Sequence, residues 1–396
     1  MLASRALVLV MLAACGGGAA PAPAAKTAAL PPANPAAVAK MVQGVQASKD
    51  PGGRPRAVAL LREAIQMDAT LWEARYDLGV VLATTGDLAG AEEQLAAAAK
   101  LSPDSEDIAV ALGEVRRRRD ESKAAADGLA DFVQDHPQAV DARTLYVAAL
   151  RESGQVDKAI EQAREALVRK QGDAGALAEL ALCHLAKGEK DTAQLLAKQA
   201  EDANPKSAVA HRAMALVLLA NGDDAASFVE FRKATDADPN DTTSRLNMGA
   251  VLLRAGVYAK AEEQFRAIVS VSPDDNEAEI GLAAALRGEA DAQHPQKLDE
   301  ARKILEAVLD RDAHNVSALY NLGVLLADFL KRPADAAPYF KRFLSDAPSD
   351  HPRRDDAQKY VDSANVGTGQ KPAPPPSAAP APAPGPAPAP AAGGKK

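Results

Sequence analysis

A glycine recurs at multiples of 34 residues through the middle of this chain, at Gly86, Gly154, Gly188, Gly222 and Gly256. A period of that length marks a stack of like supersecondary units, and it fixes the architecture before any local propensity is weighed. The stretch 72 to 105, "WEARYDLGVVLATTGDLAGAEEQLAAAAKLSPDS", shows what is repeated. Small or apolar residues stand at positions 7, 8 and 11, glycine at 15, alanine at 20, an apolar residue at 24, alanine at 27 and proline at 32. The first three positions share one helix face, as do the three beginning at 20, because side chains three and four apart are neighbours. Two helices therefore meet at the glycine, which tolerates the left-handed backbone that follows a helix. Ala91, Ala125, Ala159, Ala193 and Ala261 hold position 20, with Ser227 in one unit, and let paired helices approach closely. Pro103, Pro137, Pro205, Pro239 and Pro273 cannot continue a helix and close the second one. A coiled coil would show heptads instead of this spacing.

The pattern resembles the tetratricopeptide repeat. Tyr320, Asn321, Leu322 and Gly323, within "ALYNLGVLL", reproduce that family's central tetrapeptide. Nine units follow: 38 to 71, 72 to 105, 106 to 139, 140 to 173, 174 to 207, 208 to 241, 242 to 275, 276 to 315 and 316 to 350. The first carries "KDPGGRP" at its turn, the eighth an insertion around "DAQHPQ", and the ninth one extra residue plus Pro338 in its second helix. Residues 351 to 365 read as the polar capping helix a solenoid needs where stacking stops. The resemblance implies an all-α, right-handed superhelical solenoid, 38 to 350, whose concave face is built from positions 2, 5, 9, 12 and 13 of each first helix.

Carried onto this sequence, those positions place Asp107, Glu114, Arg117, Arg118, Asp141, Arg151 and Glu152 on the concave face of units three and four. Units five to seven give Leu182, Leu185, Val209, Arg212, Leu216, Leu219, Leu246, Leu253 and Arg254, and unit nine adds Tyr320 and Val324. A leucine-rich groove punctuated by arginines suits an amphipathic helix or extended peptide with a few acidic residues. The alternative is that some of these leucines are inter-repeat core. The family's carboxylate clamp needs asparagine at position 9, where this chain has Val80, Glu114, Ala148, Leu182, Leu216, Ala250, Ala284 and Val324.

The ends differ from the middle. A short basic start, Met1 to Arg5, precedes an apolar run from Ala6 to Ala14. That run is too short for a bilayer span, which needs about 20 residues, and it reads as a signal peptide, 1 to 14. Leu12, Ala13, Ala14 and Cys15 resemble the lipobox of bacterial lipoproteins. The resemblance implies that Cys15 is acylated and becomes the mature amino terminus, and that Gly16 after it directs the protein to the outer membrane. Several acyl chains hold a protein far more firmly than one. Residues 15 to 37 are then a lipidated cysteine and flexible linker, and 366 to 396 a Pro/Ala-rich tail too poor in apolar surface to fold.

Other chemistry is not expected. Aromatic residues are 4% of the chain and the formal net charge is −8, without the basic stripe that nucleic acid requires. The basic run Arg116 to Arg119 is flanked by acids and ends a helix, where the macrodipole favours cations. The six histidines are scattered singly, so no metal site follows from spacing, and His184 and His211 fall at helix-packing positions. No phosphate loop is present, no cofactor is implied, and Cys183 reads as core and not as a nucleophile. The expectation is a non-enzymatic, lipid-anchored scaffold on the periplasmic side of the outer membrane, binding other envelope proteins through its concave face. Tetratricopeptide lipoproteins of this kind resemble type IV pilotins, accessory factors of barrel assembly and the repeat lipoprotein of adventurous gliding motility; array length and alanine content lean to the last. An accessory protein that binds peptidoglycan or a wall-modifying enzyme is the alternative.

Overall fold

The computed structural model describes residues 30–50 and 52–367. The segment expected to be a signal peptide, Cys15 and the Pro/Ala-rich stretch beyond residue 367 lie outside the described residues. Within them every regular element is helical. Units two to seven pair Trp72–Thr84 with Leu88–Leu101, Glu106–Arg118 with Ser122–Asp135, Val140–Glu152 with Val156–Arg169, Ala174–Ala186 with Lys190–Ala203, Ala208–Ala220 with Asp224–Ala237, and Thr242–Arg254 with Tyr258–Val269. Unit one pairs Pro35–Lys49 with Arg54–Met67, and unit eight Asn276–Glu289 with Gln296–Arg311. No helix among the described residues is long and apolar enough to cross a membrane.

Caps set the starts of these helices. Asp87, Asp173, Ser207, Asp223, Asp241, Asp275 and Asn315 each accept a backbone N–H from two or three residues into the helix that follows. The same device moves the first boundary: Asn34 accepts from the Ala36 amide at 3.0 Å and Pro35 opens the helix, so the predicted linker to residue 37 ends earlier. At the other end the capping helix is Arg354–Gly367, displaced from the predicted 351 to 365.

Turn glycines behave as their spacing requires. Gly86, Gly154, Gly188, Gly222 and Gly256 have φ between +71° and +86°. Unit three puts Asp120 at that place with φ of 59°, and unit nine puts Lys331 near it at 57°. The extra residue of unit nine is absorbed where Val316–Val324 passes into a π-helical turn, Leu325–Phe329, before Pro333–Asp346.

Within the pairs, position 8 of the first helix packs on position 24 of the second, and in units two to five and seven the two exchange volume. Gly79 meets Leu95, Gly113 meets Leu129 and Gly249 meets Phe265, each too close for an added Cβ. In units four and five position 8 is larger and position 24 shrinks, Val147 sharing a core cluster with Ala163 and Ala181 with Ala197, whereas unit six keeps Phe231 beside Ala215. Close packing of this kind tolerates little change of volume on either side. The array also curves back on itself: a Cβ added at Gly86 in unit two would stand 3.3 Å from the Val271 carbonyl oxygen at the end of unit seven.

Candidate partner-binding cleft

That curvature encloses a cleft of about 770 Å³ lined by units two, three, four, six and seven, from Ala83 and Thr84 across to Thr242, Thr243 and Ser272. A second recess of about 680 Å³ continues it along units three to six. Of the concave residues expected from position alone, Glu114, Arg117, Arg118, Asp141, Glu152, Val209 and Arg212 line these spaces. The walls therefore combine charged and polar groups with apolar ones such as Val110, Leu145, Val209 and Val271.

Ion pairs knit the wall from one unit to the next. Arg117 donates to Glu114 at 2.6 Å within its own helix and to both oxygens of Glu152, 2.5 and 2.8 Å away on the next unit. Arg151 reaches Glu179 of unit five at 3.1 Å, and Ser122 donates to Glu152 at 3.1 Å. Burial disfavours the Arg117 cation, yet its hydrogen bonds to Glu152 and the charge of Glu114 outweigh that and raise its pKa further above the usual range. Burial likewise raises Glu152, but Arg117 and then Arg151 overcome it and hold the carboxyl below its ordinary value. Arg118 donates to the Ala83 carbonyl at 2.9 Å, tying unit three back to unit two. Paired charges of this kind can meet a polar backbone without an excess of either sign.

The leucines expected to line the groove pack at the seams between units. Leu182 is 8% exposed and sits in a core cluster with Leu177, Ala178, Ala210 and Ala213, sealing the seam between the first helices of units five and six. Leu185 and Leu216 are half-buried against the same cluster, Leu219 against Phe231 and Met248, and Leu246 and Leu253 against the large C-terminal core. An apolar side chain at these positions gains more by closing the gap to the neighbouring first helix than by facing an open cleft. Arg212 is tied to Asp241 at 3.0 Å, and Arg254 forms a fork with both oxygens of Asp224 at 2.8 and 3.0 Å. Tyr320 belongs elsewhere: it packs against Phe340 and Phe343 beneath Arg353 and lines a recess at the C-terminal end with Arg287 and Tyr360.

Several lining residues escaped position-by-position reading because they come from the loops between units. Asp238, Asn240 and Asp241 enter from the loop before unit seven, and Lys170, Gly172 and Asp173 from the loop before unit five. Their signal was the polar run after each second helix, which the repeat pattern treats as punctuation.

A superhelical stack of paired helices around a shared inner face defines a helical-repeat solenoid. The model of the tetratricopeptide repeat family matches residues 50–106, 178–242 and 296–351. The chain folds as an all-helical solenoid of tetratricopeptide-type repeats. No curated protein matches it. Among solved structures it is similar to the APC/C hetero-tetramer Cut9–Hcn1, at 13% identity and a TM-score of 0.56, covering 82% of this chain and 62% of that one. The likeness extends to the fold alone. The human IFIT1 dimer with PPP-AAAA is similar at 17% identity and a TM-score of 0.43, covering 74% of this chain and 79% of that one. YrrB, a tetratricopeptide-repeat protein with an unusual peptide-binding site, is similar at 16% identity and a TM-score of 0.35, covering 49% of this chain and 97% of that one.

Proposed function

We propose that this chain is a protein–protein interaction scaffold of the cell envelope, holding a polypeptide partner in the cleft between units two and seven. The observation that carries the reading is the open cleft of about 770 Å³ in whose wall Arg117 is paired with Glu114 and Glu152, and Arg212 with Asp241. Such a surface favours an extended polar segment, which can exchange backbone hydrogen bonds with Thr243, Asn240 and Ser272 as it enters. The leader "LAAC" supports anchoring through an acylated Cys15, placing the solenoid on the periplasmic side of the outer membrane. The long array, the alanine-rich composition and that leader together support membership of a multiprotein envelope machine, with gliding motility the first to test. No catalytic role is proposed.

Photocrosslinking in cells tests the cleft. A benzoyl-phenylalanine in place of Thr243 should capture an envelope protein that the same probe in place of exposed Val168, distant in the sequence and outside the cleft lining, does not. Capture from Val168 alone would overturn the reading. Cys15→Ala should abolish acylation and release the protein from the membrane fraction, and unchanged retention would remove the anchor.

A further inference from the structure

One cross-brace recurs along the solenoid and changes its chemistry in unit six. In unit two Arg75 donates to Gln94 at 3.3 Å and to the Ala69 carbonyl at 3.3 Å. In unit seven Arg245 does the same with Gln264 at 3.3 Å and the Pro239 carbonyl at 3.1 Å. Arg143 and Gln162 repeat the pair in unit four. Each brace joins a permanent cation to a neutral amide, so its charge is fixed.

At the same places unit six carries His211, Glu230 and the Pro205 carbonyl, and Glu201 joins them from the preceding helix, Lys190–Ala203. His211 is 7% exposed. Its Nε2 lies 3.0 Å from the Pro205 carbonyl oxygen, which can only accept, so hydrogen-bond accounting puts the ring proton on Nε2. Nδ1 then faces Glu230 Oε2 at 2.8 Å and Glu201 Oε1 at 3.1 Å. In the neutral ring that nitrogen is a lone pair, and the ionised carboxylates are acceptors as well. Three acceptors converging on one point call for a cation between them.

The lysines nearby do not fill that point. Lys233 sits 2.6 Å from Glu230 Oε1 and Lys198 sits 3.7 Å from Glu201 Oε2, each on the oxygen turned away from the imidazole. We propose that Glu201, His211 and Glu230 form a divalent transition-metal site that joins the second helices of units five and six through the first helix of unit six. An imidazole whose other N–H is fixed by a backbone carbonyl is oriented as metal-bound histidines are. One nitrogen and two carboxylate oxygens suit Zn²⁺ and its first-row neighbours. The site opens onto a cleft of about 640 Å³ bordered by Lys206 and Asp236, which leaves room for a water ligand. The ligands come from three helices, so sequence spacing hides them.

The test is zinc titration by calorimetry on the full, metal-stripped chain, with thermal unfolding in Zn²⁺ and in EDTA. Wild type should bind one more Zn²⁺ than the double variant His211→Arg/Glu230→Gln, and zinc should raise its Tm. That variant installs the brace of units two and seven, so it should fold with wild-type helicity and lose the zinc-dependent shift. Glu201→Gln, the gentler change, should weaken binding at least tenfold. A wild-type Tm indifferent to zinc, meaning that a proton alone occupies the point, overturns the proposal. So does zinc binding that survives in the double variant.

Discussion

Gly249 lies so close to Phe265 that a Cβ added to the glycine would stand 2.5 Å from the ring's Cζ. Gly281 of the next unit presses on the same ring, at 2.4 Å from Cε1. One aromatic side chain thus fills the space that two glycines leave, and it fastens unit seven to unit eight. Gly249→Ala should therefore destabilise the C-terminal half by about 1–3 kcal/mol through overpacking. The check is the urea midpoint by circular dichroism. Gly249→Ala with Phe265→Leu should recover much of the loss, since unit eight holds that pair of residue types, Ala283 and Leu305, in its own core. A single variant as stable as wild type would show that the ring can move aside.

Asp120 occupies the turn of unit three with φ of 59°, where five other units use glycine. The left-handed backbone costs a residue with a Cβ about 1–2 kcal/mol, less for aspartate, and glycine returns part of that gain as unfolded-chain entropy. Asp120→Gly should raise stability by roughly 0.5–1 kcal/mol. Lower stability in the variant would mean that the Asp120 carboxylate is used in the cleft it lines.

The period of 34 made the helix pairs, the turns and most of the core legible, because each of those features is repeated and local. Asp120 was not singled out, because the glycine series skips unit three and an aspartate beside a basic run reads as a helix-end charge. The cleft was legible only in part. Glu114, Arg117 and Glu152 declared themselves because a charged residue at a concave position has no better place to go. Leu182 and Leu216 did not, since an apolar residue at that position can face either the cleft or the neighbouring first helix, and packing decides. The approach of Gly86 to Val271 accumulates from small rotations at every unit interface, and no single residue encodes it.

Asp77 gives the solenoid a pH signature. Burial, with Glu73 beside it, pushes its carboxyl up to about 6 from 3.8. A carboxyl whose folded value is raised disfavours the ionised fold, so its contribution to stability is favourable at low pH and is lost as pH climbs through the folded value. Asp77→Asn should raise the Tm at pH 7.5, and the advantage should shrink through pH 6 and vanish by pH 4. An advantage that is constant with pH would assign the effect to something other than ionisation.

Cys183 offers a probe of how the array opens. It is buried in the first helix of unit five, and burial, followed by the charge of Glu179, pushes its thiol up to about 12. Only the thiolate reacts, so native protein at pH 8 presents almost none of the reactive form and shields even that. In a Cys15→Ser background Cys183 is the one remaining thiol, and maleimide should modify it only as fast as unit five opens. The rate should therefore rise steeply with urea below the global midpoint if the middle units open before the aromatic-rich C-terminal core. Rapid, urea-independent labelling would place the thiol at the surface and contradict the packing that seals Leu182 beside it.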